Sequence, residues 1–126
     1  MDLSLLLVKD SIRKIVSDKP RQIAFEVFSD VVRKGEFSNL ILPRRLSESG
    51  MDSRDKAFTT ELVYGSLRQL GRNDYIASKF SSRDWHDVDP GIVDVIRLGA
   101  YQLLFMRIPA HAAVSESVDL ARKVAG

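Results

Sequence analysis

Apolar side chains recur at three- and four-residue intervals along almost the whole chain, and this spacing constrains the fold more than any other feature. The pattern is clear at Leu5, Val8, Ile12 and Ile15, and again along residues 24–31. Such spacing places apolar side chains on one face of an α-helix, whereas no segment shows the period of two that a half-buried strand requires. Many of these positions hold Val or Ile, but their weak strand preference counts for less than the spacing. The sequence therefore predicts an all-α fold.

Proline, glycine and capping residues set the predicted helix ends. Pro20 suits the first turn of a helix, and Gly35 suits its left-handed exit. Asp89 followed by Pro90 has the same starting pattern, and the polar residues 81–89 before it form the clearest predicted loop. The other predicted helices cover residues 39–48 with Pro43 in or near the first turn and Gly50 as the stop, Asp52 or Ser53 to about Gly71, Asn73 or Asp74 to Phe80, about 17 residues from Pro90 to the Ile108-Pro109 pair, and a last segment from His111.

One core shared by four of these helices is the simplest way to bury the apolar faces. Its predicted members are Val27, Phe58, Leu62, Ile96, Leu103, Val114 and Val118. Gly65 and Gly99 lie inside helical patterns, where glycine costs about 1 kcal/mol relative to alanine, so we expect close helix contact at both. The neighbouring Tyr64 and Tyr101 are predicted to be buried rings with hydroxyls at the core edge, with base stacking as the alternative.

Size and composition fit a single domain. The chain has 126 residues, and 19 Lys and Arg against 17 Asp and Glu give a net charge of +2, so any nucleic-acid site needs local clustering of charge. The absence of cysteine excludes disulfides, thiolate metal sites and sulfur nucleophiles. No stretch approaches the about 18 apolar residues of a membrane span, and no signal peptide is visible. We expect a soluble, cytoplasmic protein.

The sequence predicts neither a catalytic site nor a metal site. The two histidines, His86 and His111, have no second ligand at metal-binding spacing. Glu61 and Glu116 lack a neighbouring carboxylate or histidine that would tune them for acid–base work, so capping or ion pairing is the expected role. No Gly-x-Gly loop is present to hold a nucleotide or S-adenosylmethionine. These residues alone do not predict an enzyme or a bound cofactor.

Clustered basic residues are the most suggestive chemical feature, because Lys and Arg contact phosphates. Some pairs have an alternative structural explanation: Arg33 and Lys34 suit the negative end of a helix dipole, and Arg68 and Arg72 lie one helical turn apart, as on many solvated surfaces. The predicted RNA-binding residues are Arg13, Lys14, Lys19, Arg21, Arg68 and Arg72.

Several sequence blocks together resemble the NusB-like family. They are Arg21-Gln-Ile-Ala24, Phe37-Ser-Asn-Leu40, Ala57-Phe58, Glu61-Leu-Val-Tyr-Gly65-Ser-Leu-Arg68, Ile96-Arg-Leu-Gly-Ala-Tyr-Gln-Leu103 and Ile108-Pro-Ala-His-Ala-Ala-Val114. The Tyr-Gly, Tyr-Gln and Pro-Ala-His blocks look most like the amino-terminal domain of Sun/Fmu-type rRNA cytosine-5 methyltransferases. The resemblance runs from about residue 20 to residue 122.

This resemblance implies an all-helical, NusB-like bundle that binds RNA. It implies that residues 1–126 are a single domain that ends before the family's last helix and before a methyltransferase domain that uses S-adenosylmethionine and cysteine nucleophiles. By position, Arg21 corresponds to the basic start of the family's RNA-contacting helix. Arg68 follows the Tyr-Gly block, and Arg97 and Arg107 flank the Tyr-Gln block.

Two functions follow from the resemblance. The first is an accessory domain that targets such a methyltransferase to small-subunit rRNA, with the rRNA and its own C-terminal methyltransferase domain as partners. The second is a stand-alone transcription antitermination factor that binds RNA and a ribosomal protein. Antitermination factors carry an arginine-rich amino-terminal run where this chain has Arg21 alone, which favours the targeting domain. A purely structural role, packing only against a catalytic domain, is a third possibility.

Overall fold

A computed structural model describes residues 19–80 and 87–125, and within these ranges it contains six helices and no strand. This confirms the predicted all-α class. The helices are α1 (Lys19–Lys34), α2 (Ser38–Glu48), α3 (Ser53–Arg68), α4 (Leu70–Phe80), α5 (Pro90–Leu104) and α6 (Ala110–Ala125). No helix in the described ranges is long and apolar enough to cross a membrane.

The predicted punctuation positions most helix ends correctly. Gly35 ends α1 with φ at +71°, and Gly50 follows α2 with φ at +72°, a conformation that glycine adopts without steric cost. Asp52 caps α3 by accepting from the Asp55 backbone N–H at 2.8 Å, and Asp89 caps α5 by accepting from Gly91 N–H at 2.8 Å. Local chemistry therefore determines where these four ends lie.

Two predicted details are wrong. Pro43 lies in the second turn of α2, since that helix begins at Ser38, and is tolerated inside it. Helix α5 ends at Leu104, not at the Ile108-Pro109 pair. It ends early because Arg107 adopts a left-handed conformation with φ at +56°, and the Ile108 N–H donates to the Gln102 carbonyl at 3.2 Å.

The core lies where α1, α3 and α5 meet. Helix α1 packs on α2, α3 and α5, while α5 also contacts α4 and α6. The largest fully buried apolar side chains are Phe28, Leu42, Leu62, Leu98, Val27 and Val63. This confirms Val27 and Leu62 as core residues, and Phe58 packs partly buried against them.

Four of the seven predicted core residues are not in this core. Ile96, Leu103, Val114 and Val118 are 39%, 42%, 55% and 43% exposed. They line an apolar groove of about 350 Å³ between α5 and α6. The prediction fails here because helical spacing identifies an apolar face but does not identify what covers it.

Candidate nucleic-acid interface

Three of the six predicted RNA-binding residues converge on the C-terminal end of α5. Arg21 reaches it from α1, Arg68 from the last turn of α3, and Arg72 from the first turn of α4. Each of the three arginines contacts residues 101–105 of α5, directly or through one other side chain. We call the surface formed by Arg21, Arg68 and Arg72 the arginine face.

Arg21 is held in position from two directions. Its Nε donates to the Gln102 side-chain oxygen at 2.7 Å, and its guanidinium lies 4.9 Å from the centre of the Phe58 ring. Gln102 is buried, and its own Nε2 donates to the Leu98 carbonyl at 3.2 Å, which fixes the amide orientation. Phe58 also satisfies the preference of an Arg cation for an aromatic face. The guanidinium is therefore ordered before any ligand arrives.

Arg68 borders a hydrogen-bonded tyrosine. The Tyr101 hydroxyl donates to Glu61, whose carboxylate lies 4.0 Å from the Arg68 guanidinium. Burial raises the pKa of Tyr101, and the bond to Glu61 raises it further, so the hydroxyl remains a donor throughout the neutral range. This confirms Tyr101 as a buried ring with its hydroxyl at the core edge. Arg68 keeps 62% of its side chain exposed and remains available to a ligand.

Gly65 makes room for that tyrosine. A Cβ on Gly65 would overlap the Tyr101 ring, which confirms the predicted close helix contact. At Gly99 the contact is milder, because a Cβ there would lie 2.7 Å from the Ser117 hydroxyl oxygen. Helices α3 and α5 therefore approach closely at the centre of the arginine face.

Arg72 lies over the third aromatic ring of this surface. Its guanidinium is 5.5 Å from the centre of the Phe105 ring, which stacks on Tyr101 with ring centres 5.2 Å apart and planes 21° from parallel. Arg72 is exposed, and Phe105 is partly buried. The arginine face thus has alternating cationic and aromatic groups on a rigid base.

The other three predicted residues are not part of this face. Lys19 points to the opposite side of α1, where its amine donates to the Ser49 carbonyl beside a cavity of about 470 Å³ that also contains Glu26, Glu48 and Arg45. Its separation from Arg21 follows from the helix, because residues two apart point about 200° apart. Arg13 and Lys14 lie outside the described residues.

Behind the arginine face is an ionic network that the sequence analysis missed. Asp94 of α5 is fully buried and accepts from Ser29 at 2.7 Å, from Arg33 at 2.8 and 3.2 Å, and from Arg97 at 3.0 Å. Arg97 also donates to both oxygens of Asp74 at 2.8 and 2.7 Å, and these bonds raise its pKa. The network joins α1, α4 and α5. No sequence signal identified it, because its partners are up to 65 residues apart.

This burial corrects one sequence-based expectation. Asp94 was expected to form an acidic surface with Asp84, Asp87 and Asp89, away from the basic residues. Its side chain is instead only 1% exposed. Asp87 and Asp89 are exposed, and Asp84 lies outside the described residues.

Helix α4 contributes two further surface residues that the sequence analysis passed over. Tyr75 is 63% exposed, and the Lys79 amine lies 5.1 Å from the centre of its ring. With Arg72 they are spaced i, i+3 and i+7, so all three share one side of α4. That spacing of cation, aromatic ring and cation was readable in the sequence. The described residues contain no group of three His, Asp or Glu side chains placed to hold a metal ion.

The chain matches the NusB family over residues 18–126. It belongs to that family. This NusB-family chain is 42% identical to a putative methyltransferase of Mycobacterium tuberculosis over 104 residues, which are 82% of the chain and 23% of the relative. It is 33% identical to the probable ribosomal RNA small subunit methyltransferase B of Synechocystis over 103 residues, again 23% of that protein.

A third relative gives the same result. The chain is 35% identical to ribosomal RNA small subunit methyltransferase B of Cronobacter sakazakii over 99 residues, 79% of the chain and 23% of that protein. The chain therefore spans about a quarter of the length of these relatives. The predicted resemblance to the NusB-like region of rRNA methyltransferases is confirmed.

Proposed function

We propose that this NusB-family domain binds structured small-subunit rRNA through the arginine face and thereby targets an S-adenosylmethionine-dependent cytosine-5 methyltransferase domain. In this proposal the domain itself is non-catalytic and holds no cofactor. Its partners are rRNA and a methyltransferase domain of the same protein. The names of the relatives support this function over the stand-alone antitermination factor.

The observation that carries the proposal is the convergence of Arg21, Arg68 and Arg72 at one end of α5. With a net charge of only +2, the chain has no strong overall attraction to RNA, so binding depends on local charge. Arginines on a fixed base bind phosphates with little loss of side-chain entropy, because the order already exists in the free protein. Aromatic rings beside them add surfaces suited to RNA bases.

The sharpest test removes the two most exposed charges of the face. The Arg68→Gln, Arg72→Gln double variant should bind a small-subunit rRNA hairpin at least about tenfold more weakly than the wild-type chain, measured by filter binding. Because each lost phosphate contact releases fewer counterions, the slope of log K against log salt should fall by about one to two. Arg21 is less suitable for this test, since its replacement also removes contacts to Gln102 and Phe58.

Two controls define the site. The Arg122→Gln, Lys123→Gln variant removes the same charge from the last turn of α6, and Lys19→Gln removes one from the opposite side of α1. Both should bind RNA within about twofold of the wild type. Equal losses from all three variants would mean that no defined site exists, and absence of wild-type binding at low salt would overturn the RNA-binding function.

The targeting role needs a separate measurement. If the domain recognises the same rRNA as its longer relatives, an excess of the 126-residue chain should inhibit methylation by a small subunit methyltransferase B. The Arg68→Gln, Arg72→Gln variant should inhibit far less. Wild-type binding without competition would support RNA binding but overturn targeting.

A further inference from the structure

The outward side of α4 has a composition that the fold does not explain. Arg72, Tyr75 and Lys79 lie within about 60° of one another around the helix, at 100° per residue. All three side chains are exposed, and Tyr75 keeps 63% of its surface in contact with solvent. An exposed aromatic ring between two exposed cations adds little to stability. We call these three residues the α4 triplet.

The acidic residue next to the triplet faces the other way. Asp74 points about 100° from Tyr75 around the helix, and both of its oxygens accept from Arg97 of α5. Its charge is therefore neutralised within the protein. The side of α4 that faces solvent presents two positive charges and one aromatic ring, so it attracts an anion that also has an apolar, planar part.

The triplet also continues the arginine face. Arg72 belongs to both surfaces, because its guanidinium lies over Phe105 at one end of α5 while its backbone is in the first turn of α4. From Arg72 to Lys79 the helix rises about 10 Å. A strand of RNA bound to the arginine face can therefore extend along α4 without crossing a negatively charged surface.

We propose that Tyr75 stacks on an unpaired nucleobase of single-stranded RNA, while Arg72 and Lys79 contact the phosphates on either side of it. This proposal rests on the proposed RNA-binding function and specifies the form of the RNA. Bases inside a duplex are already stacked on each other, whereas unpaired bases stack on exposed tyrosines. Lys79, 5.1 Å from the ring centre, keeps positive charge at the edge of this stacking site.

The test compares two RNA probes with the full 126-residue chain. One probe is a labelled 12-nucleotide oligo(U), and the other is a blunt 12-base-pair RNA duplex. Tyr75→Leu should weaken oligo(U) binding about tenfold, since stacking contributes strongly per base, and should change duplex binding by less than about twofold. Tyr75→Phe keeps the ring and should bind oligo(U) like the wild type.

The salt dependence separates stacking from charge. Tyr75→Leu removes no charge, so the slope of log K against log salt should stay the same, whereas Lys79→Gln should reduce it by about 0.7. The matched control is Phe37→Leu, which removes an aromatic ring of similar exposure, 69%, before the first turn of α2. That variant should bind both probes like the wild type, and melting curves should show that every variant is folded.

The outcomes distinguish this proposal from the one it rests on. If the wild type binds both probes and Tyr75→Leu binds oligo(U) as well as Phe37→Leu does, stacking at Tyr75 is wrong and RNA binding by the arginine face stands. Equal weakening on oligo(U) and duplex would also overturn stacking, because a paired base cannot occupy the site. If the wild type binds neither probe at low salt, both proposals fail, and the α4 triplet becomes a contact surface for protein.

Discussion

The two sides of α5 differ in a way that reverses the usual reading of a helix. The inward side contains Asp94 and Gln102 beside Leu98, and all three are buried. The outward side, with Ile96 and Leu103, is apolar and yet 39% to 42% exposed. Both sides follow the same helical period. Polarity alone therefore ranks the two sides in the wrong order, and the partners of each side chain decide which one is buried.

The inward side can be polar because each of its polar groups has a partner. Asp94 has Ser29, Arg33 and Arg97, and Gln102 bonds Arg21 and the Leu98 carbonyl. A buried charge without such partners would cost several kcal/mol, so the network is what permits this side of α5 to face α1. The outward side, with only apolar groups, specifies no particular neighbour.

The largest expected effect tests the buried charge. Asp94→Ala should lower the free energy of unfolding by about 3 kcal/mol, because it leaves Arg33 and Arg97 without their shared carboxylate. Urea denaturation at neutral pH measures this. The control, Asp30→Ala, removes an exposed carboxylate paired with Lys34 at 3.3 Å and should cost less than about 0.5 kcal/mol. Similar losses from both variants would show that the Asp94 network does not support the fold.

A second comparison uses the same residue type on opposite sides of α5. Leu98→Ala should cost about 2–5 kcal/mol because it opens a cavity in a fully buried site. Leu103→Ala should cost less than about 1 kcal/mol, since Leu103 is 42% exposed. Urea denaturation at several protein concentrations checks both. Equal costs would mean that the outward side is covered in solution, and a dependence on concentration would identify the cover as a second copy of the chain.

Much of the fold could be predicted because its signals are local. Pro20, Gly35, Gly50, Asp52 and Asp89 each act within one turn of their own position, so the sequence beside them is sufficient. The placement of helices on one another is not local. Ile96 and Leu103 have the composition of core residues, and only the three-dimensional arrangement shows that α1 and α3 cover the opposite side of their helix.

The candidate site was predictable to a similar extent. Composition and clustering identified Arg21, Arg68 and Arg72, because basic residues near helix ends are visible in the sequence. Their convergence was not visible, since Arg21 meets Gln102 from 81 residues away. Lys19 was grouped with Arg21 because the two are neighbours in sequence, but the helix turns them to different sides. That grouping fails for a purely geometric reason.

The smallest effects concern the two glycines, which face the two sides of α5 differently. Gly65 of α3 meets the inward Tyr101, whose ring is fixed by Glu61 and Phe105, so a methyl group there has nowhere to go. Gly65→Ala should therefore cost about 1–3 kcal/mol despite the better helix propensity of alanine. Thermal and urea denaturation measure this. The cost should shrink in a Tyr101→Leu background, because leucine leaves space for the added methyl group.

Gly99 lies on the outward side, where the expected result is different. The only close atoms to an added Cβ are the Ser117 hydroxyl oxygen at 2.7 Å and its Cβ at 3.6 Å, and a serine hydroxyl can rotate to another rotamer. The strain and the about 1 kcal/mol gained in helix propensity should nearly cancel, leaving Gly99→Ala within about 0.5 kcal/mol of the wild type. A higher melting temperature for both variants would contradict close packing at either glycine. A cost at Gly99 as large as that at Gly65 would instead show that α5 and α6 are locked together as firmly as α3 and α5, and the contrast between the two sides of α5 would then be confined to their exposure.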